Sequence, residues 1–113
     1  MLIAFTFRAK PGKEAEFERL LSNPETGKLA AGLMGASRNI LFLGHGRMIR
    51  VLEVPEGVEP KSMAEIAEEN PDFGDFLHKI APLIQDGFDL DDPRSLEEFN
   101  KRVMVPLCYD VRP

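Results

Sequence analysis

One stretch constrains this chain more than any other: RNILFLGHGRMIRVLEVPE, from Arg38 to Glu56. Two runs rich in branched and aromatic residues flank Gly44-His45-Gly46, where glycine tolerates the backbone angles of a tight hairpin turn. With the turn centred on His45-Gly46, Leu43 opposes Met48, Leu41 opposes Arg50, and Asn39 opposes Leu52. Side chains alternate across a strand, so these six share one face. The other face takes Phe42 with Ile49, Ile40 with Val51, and Arg38 with Glu53. Both faces are mainly apolar, so both need cover. Arg38 has an acid opposite it and is expected to form an ion pair with Glu53. Arg50 sits among leucines with none. An unpaired guanidinium is costly to bury, so Arg50 must reach solvent, an acid from elsewhere in the chain, or an anionic or carbonyl-rich ligand.

The remaining segments supply partners for the hairpin. Residues 2–8, LIAFTFR, read as a first strand. A helix follows from about Gly12 to Leu21, with Phe17, Leu20 and Leu21 at helical spacing. SNPETGK is rich in turn residues and reads as a loop. LAAGLMGA is ambiguous between a lead-in and the start of a strand. Lys61 to Glu69 reads as helix, and a second helical run starts at Pro71. Its stripe is Phe73, Phe76, Leu77, Ile80 and Leu83 or Ile84, which Pro82 kinks or ends. In the acidic connection QDGFDLDDPRSLEEFNK, Asp92 and Pro93 can open a short helix. RVMVPLCYDV reads as a fourth strand, and Pro106 places it at an edge or a bulge.

The order β-α-β-β-α-β predicts one α+β domain over residues 1–113, of ferredoxin-like topology. It has a four-stranded antiparallel sheet with the helices on one face. The other sheet face then lacks cover of its own. A homodimer with the two sheets face to face, a dimeric α/β barrel, is the expected solution, with a cavity inside or beside each sheet.

The net charge of −5 argues against a nucleic-acid binder, which needs a basic face. No apolar run approaches the ~20 residues of a membrane span, and the apolar run of MLIAFTFRAK, with no basic region before it, is shorter than expected of a signal peptide. The single cysteine, Cys108, excludes an internal disulfide and a thiolate metal site, which suits a reducing, cytoplasmic setting. Thr26 to Lys28 (TGK) lacks the glycine spacing of a phosphate loop, and the acids of DLDDP lack EF-hand spacing. The GLMG string matches a KH-type GxxG, but acidic charge and a β-first order oppose that reading.

The hairpin, NPDFGDFLHKIAPLI, DDPRSLEEF and RVMVPL together resemble the SchA/CurD-like domain family. That family occurs in bacterial gene clusters for spore pigments and related aromatic polyketides, and the resemblance covers nearly the whole chain. The hairpin and the PDF-containing helix are also similar to the tetracenomycin-type polyketide cyclases, dimeric α/β-barrel proteins with a cavity under each sheet. The resemblance implies an aromatic polyketide as small-molecule partner, with polyketide synthase components as further candidate partners; the sequence carries no metal or flavin signature, so no cofactor and no metal are expected. It places two polar cavity positions on Asn39 and Arg50. The cyclase pattern has basic residues at both, whereas here the first is asparagine, and SNPETG lacks the expected histidine-acid pair.

Ring closure of a polyketide needs a methylene proton removed, an enolate stabilised and the chain folded. Arg50 stays protonated and can fork onto two oxygens, so it suits the enolate. Asn39 can hydrogen-bond a carbonyl or position water. His45 is a candidate base as an imidazole, although a hairpin tip favours an exposed turn residue. Leu41, Leu43, Met48, Leu52, Thr6, Met104 and Tyr109 are the candidate lining. Cys108 reads as an inert buried residue and His78 as exposed. Besides a cyclase, two readings remain open. One is a cofactor-independent monooxygenase of anthrone-type rings. The other is a non-catalytic protein that binds and steers an intermediate.

Overall fold

A computed structural model describes residues 1–113. The strands are β1 (Leu2–Arg8), β2 (Arg38–Gly44), β3 (Arg47–Glu53) and β4 (Met104–Val105). The helices are α1 (Glu14–Leu21), α2 (Pro24–Met34), α3 (Met63–Glu69), α4 (Pro71–Ile80) and α5 (Pro93–Val103). The sheet order is β2-β3-β1-β4, and every neighbouring pair is antiparallel. This is the expected α+β arrangement, with helices on one face of the sheet.

The hairpin register matches the sequence reading at every pair, from Arg38 opposite Glu53 to Gly44 opposite Arg47. His45 and Gly46 both have positive φ, 54° and 69°. That is the left-handed pair a two-residue turn of type I′ requires, and its twist matches that of the flanking strands. Gly46 is also pressed against Glu14 at the start of α1, where an added Cβ would stand 2.9 Å from the Glu14 Cγ.

Three helices start the same way. Asn23-Pro24, Asn70-Pro71 and Asp92-Pro93 open α2, α4 and α5. In each the side-chain oxygen accepts a backbone N–H at 3.0–3.1 Å, and the proline occupies a position whose N–H would have no partner. Gly35, at φ 76°, ends α2 as a left-handed cap. The segment expected to be loop and ambiguous lead-in is therefore one helix. The fourth strand is much shorter than expected. Val103 continues the apolar stripe of Leu96 and Phe99, so α5 runs through it and leaves only Met104 and Val105 to pair with Phe5 and Ala4. Pro106 then brings no N–H to the ladder, and residues 106–113 have no strand pairing.

The core lies between sheet and helices. Phe7 meets Phe17 edge-on at 5.9 Å and Phe99 at 5.5 Å, and Phe99 meets Phe88 at 4.8 Å. Met48, Leu77, Ile80, Ile84 and Leu96 are buried around them. The opposite face of the sheet stays open, with Phe42 60% and Ile49 41% exposed. Arg38 and Glu53 are register partners, but their charged groups do not form the expected ion pair; the ion pairs are Arg19–Glu16 and Lys61–Glu69, both on the surface. No helix is long and apolar enough to cross a membrane.

Candidate functional site

The strand alternation that points Met48 and Leu52 at the helices also points Arg50 there, opposite Phe5 on β1 and Leu41 on β2. It lines an enclosed cavity of about 60 Å³ between the sheet and the helices. Sixteen of the twenty lining residues are hydrophobic; the others are Thr26, Gly27, Arg50 and Asn100. The walls come from β1 (Phe5, Phe7), β3 (Met48, Leu52), α4 (Phe73, Leu77) and α5 (Phe99, Val103). No carboxylate, imidazole or amine is among them.

Arg50 is the only formal charge in this lining. Its Nε is buried and has no protein partner, and no acid pairs with it. Loss of hydration lowers the guanidinium pKa from its ordinary value. The group remains a cation at neutral pH, held at a cost that a hydrogen-bond acceptor placed beside it would offset.

A second space adjoins the first. A surface groove of about 840 Å³ runs along β2 and the α1–α2 corner, lined by Asn23, Lys28, Arg38, Asn39, Leu41 and Leu43 among others. Leu21, Gly27 and Arg50 line both spaces, so they form the partition between cavity and groove. Asn39 lies on the groove side. Its Nδ2 donates to the Gly27 carbonyl at 2.9 Å, tying β2 to α2, while its Oδ1 is buried without a protein partner.

The candidates named from the sequence thus divide. Arg50, Met48 and Leu52 line the cavity, and Asn39, Leu41 and Leu43 line the groove that shares Arg50. The rest lie elsewhere. Thr6 pairs with Ile49, so it points to the open face, where its hydroxyl donates to the Met48 carbonyl at 2.9 Å. Phe5 and Phe7, one residue to either side, take the inward positions. His45 is exposed at the hairpin tip. Met104 is 46% exposed and outside the cavity lining. Tyr109 is 74% exposed beyond the last paired strand residue, and Cys108, expected to be buried, is exposed there too. His78 is exposed as expected and stands within 2.9 Å of the Gly74 carbonyl through Nδ1.

Two polar lining residues escaped the sequence reading, Thr26 and Asn100. Asn100 had a legible signal. It lies four residues after Leu96 and three before Val103, which puts an amide on the apolar stripe of α5.

No family model matches the sequence. The chain is 32% identical over 109 residues to the 42.8 kDa protein in whiE locus of Streptomyces coelicolor, a match covering 94% of this chain and 26% of that protein. It is a homologue of that protein over nearly its whole length, and spans about a quarter of it. Among solved structures it matches Tetracenomycin F2 Cyclase from Streptomyces glaucescens, a type-II polyketide cyclase. The TM-score is 0.58 at 15% identity, over 100% of this chain and 98% of that one. The two share a fold, the α+β arrangement that the sequence resemblance implied.

Proposed function

We propose that the protein binds an aromatic polyketide intermediate beside Arg50 and directs its ring closure. The observation that carries this reading is an unpaired guanidinium in a cavity whose lining is mostly apolar. Homology to a whiE-locus protein and the fold shared with a polyketide cyclase support the ligand class.

In an aldol-type closure a methylene loses a proton and the resulting enolate carbon attacks a carbonyl of the same chain. The new alkoxide then takes up a proton. Arg50 stabilises the enolate oxygen, a charge that forms only as the proton leaves, so its effect falls on the rate. The lining holds no base, so the proton passes to water or to a second carbonyl of the ligand. The apolar walls contribute by folding the chain into a reactive conformer, an effect worth up to ~7–11 kcal/mol when positioning is good. Asn39 holds α2 in place over the groove through Gly27.

The cavity at about 60 Å³ is smaller than the ~150 Å³ that admits benzene. The ligand therefore enters from the groove as Leu21, Gly27 and Arg50 yield. The open face of the sheet is covered by a second copy of the chain, which buries Ile40, Phe42, Ile49 and Val51.

The missing base favours a second reading, in which the protein folds the intermediate and contributes no proton transfer of its own. One experiment addresses both. Each variant is incubated with a linear poly-β-ketone substrate while product distribution, single-turnover rate and oxygen uptake are followed. Cyclase action predicts a changed product profile with the wild type, at least a tenfold slower closure for Arg50→Met, on the order of the loss of a charge-assisted hydrogen bond, and no oxygen uptake. An Arg50→Met protein with wild-type rate and products removes Arg50 from the chemistry. A wild type that binds the substrate and alters neither rate nor products leaves the steering reading. Oxygen consumption without added cofactor replaces both with monooxygenation.

A further inference from the structure

Asn100 of α5 shares the cavity with Arg50. Its Oδ1 is buried and no protein group donates to it. The flanking residues on the same helix face, Leu96, Phe99 and Val103, are buried and apolar. An asparagine at a stripe position forfeits the packing that leucine would give, and its buried carbonyl lacks the donor such groups normally have. The two orphaned groups have opposite needs. Arg50 can only donate. The Asn100 carbonyl can only accept.

A ligand made wholly of ketones carries acceptors alone. It can satisfy Arg50 and accept from the Asn100 amide N–H, but it leaves the Asn100 carbonyl without a donor. A hydrocarbon ring serves neither. A ligand that serves both carries a carbonyl and a hydroxyl, as an enolised β-dicarbonyl or a phenolic ketone does. We infer that Asn100 is a specificity-determining residue that accepts a hydrogen bond from an enolic or phenolic hydroxyl, so that the cavity selects a partly enolised or already aromatised intermediate over the all-ketone chain. This rests on the proposed ligand class and narrows it.

The test is a binding titration with three probes of nearly the same shape: 2-hydroxyanthraquinone, its methyl ether, and unsubstituted anthraquinone. The wild type should bind the phenol about tenfold more tightly than the ether, the worth of roughly one hydrogen bond to a buried acceptor. In Asn100→Leu the ratio of phenol to ether affinity should fall to about one. A preference that survives in Asn100→Leu places the hydroxyl elsewhere and overturns the assignment. Equal binding of phenol and ether by the wild type also overturns it, with the aromatic ligand class intact. Binding of none of the three overturns the ligand class and the assignment together. The wild-type comparison needs no variant, and Asn100→Ala replaces the leucine variant if that one does not fold.

Discussion

The two faces of the sheet are built from the same strands by the same alternation, yet they end in opposite conditions. The inner face is covered by helices and carries the one charge that an apolar interior should reject, Arg50. The outer face is the more conventional in composition, with Ile40, Phe42, Ile49 and Val51 in adjoining register, yet it is left open. Stability arguments alone would exchange these assignments, exposing the arginine and burying the phenylalanine. The contrast separates two kinds of misplacement. A polar group where the fold can least accommodate it points to a ligand. An apolar surface where solvent can reach it points to a macromolecular partner.

That comparison can be broken most severely from the inside. Phe99 is 1% exposed and touches both Phe7 and Phe88. Phe99→Ala is expected to cost about 3–5 kcal/mol of folding free energy, read from the shift of a urea midpoint. A loss below ~1 kcal/mol would mean that the inner face is not the main core. Arg50→Met keeps the aliphatic stem and removes the unpaired donor. It should raise stability by about 1 kcal/mol in the same denaturation experiment, and a drop of that size would show that Arg50 serves the fold after all. The outer face should be the least sensitive of the three. Phe42→Lys ought to leave the protomer within about ±0.5 kcal/mol and convert the expected dimer to monomer in sedimentation velocity. A wild-type protein that sediments as a monomer would leave the outer face without its proposed partner.

Much of this contrast was legible in the sequence, for identifiable reasons. A two-residue turn fixes strand parity, so His45-Gly46 decided at once which side chains accompany Arg50. The first strand offered no turn to anchor it. Ala4 and Thr6 alternate with Phe5 and Phe7, and the polar Thr6 was assigned inward when the aromatic pair takes that side. The α2 helix was hidden by its composition. Two glycines and two alanines give it a weak apolar stripe, and Ala30 is its single buried residue. Its start signal, Asn23-Pro24, is the same as at Asp92-Pro93, where the helix was expected. The two valines and the tyrosine of RVMVPLCYDV favour a strand, but Val103 keeps helical spacing from Phe99 and stays in α5. Asn100 was missed with that helix. The cavity's most informative polar group after Arg50 thus lay in a segment assigned largely to a connection.

The partition formed by Leu21, Gly27 and Arg50 has a kinetic consequence. A ligand sealed behind it departs no faster than the partition opens, however weak its polar contacts are. On the proposed binding mode, residence time is set by how readily Leu21, Gly27 and Arg50 move apart, and the Asn39–Gly27 hydrogen bond ties β2 to α2 against that separation. For the proposed enolised intermediate this holding time matters beside affinity, because it fixes how long the ligand stays folded in one way before water reaches it.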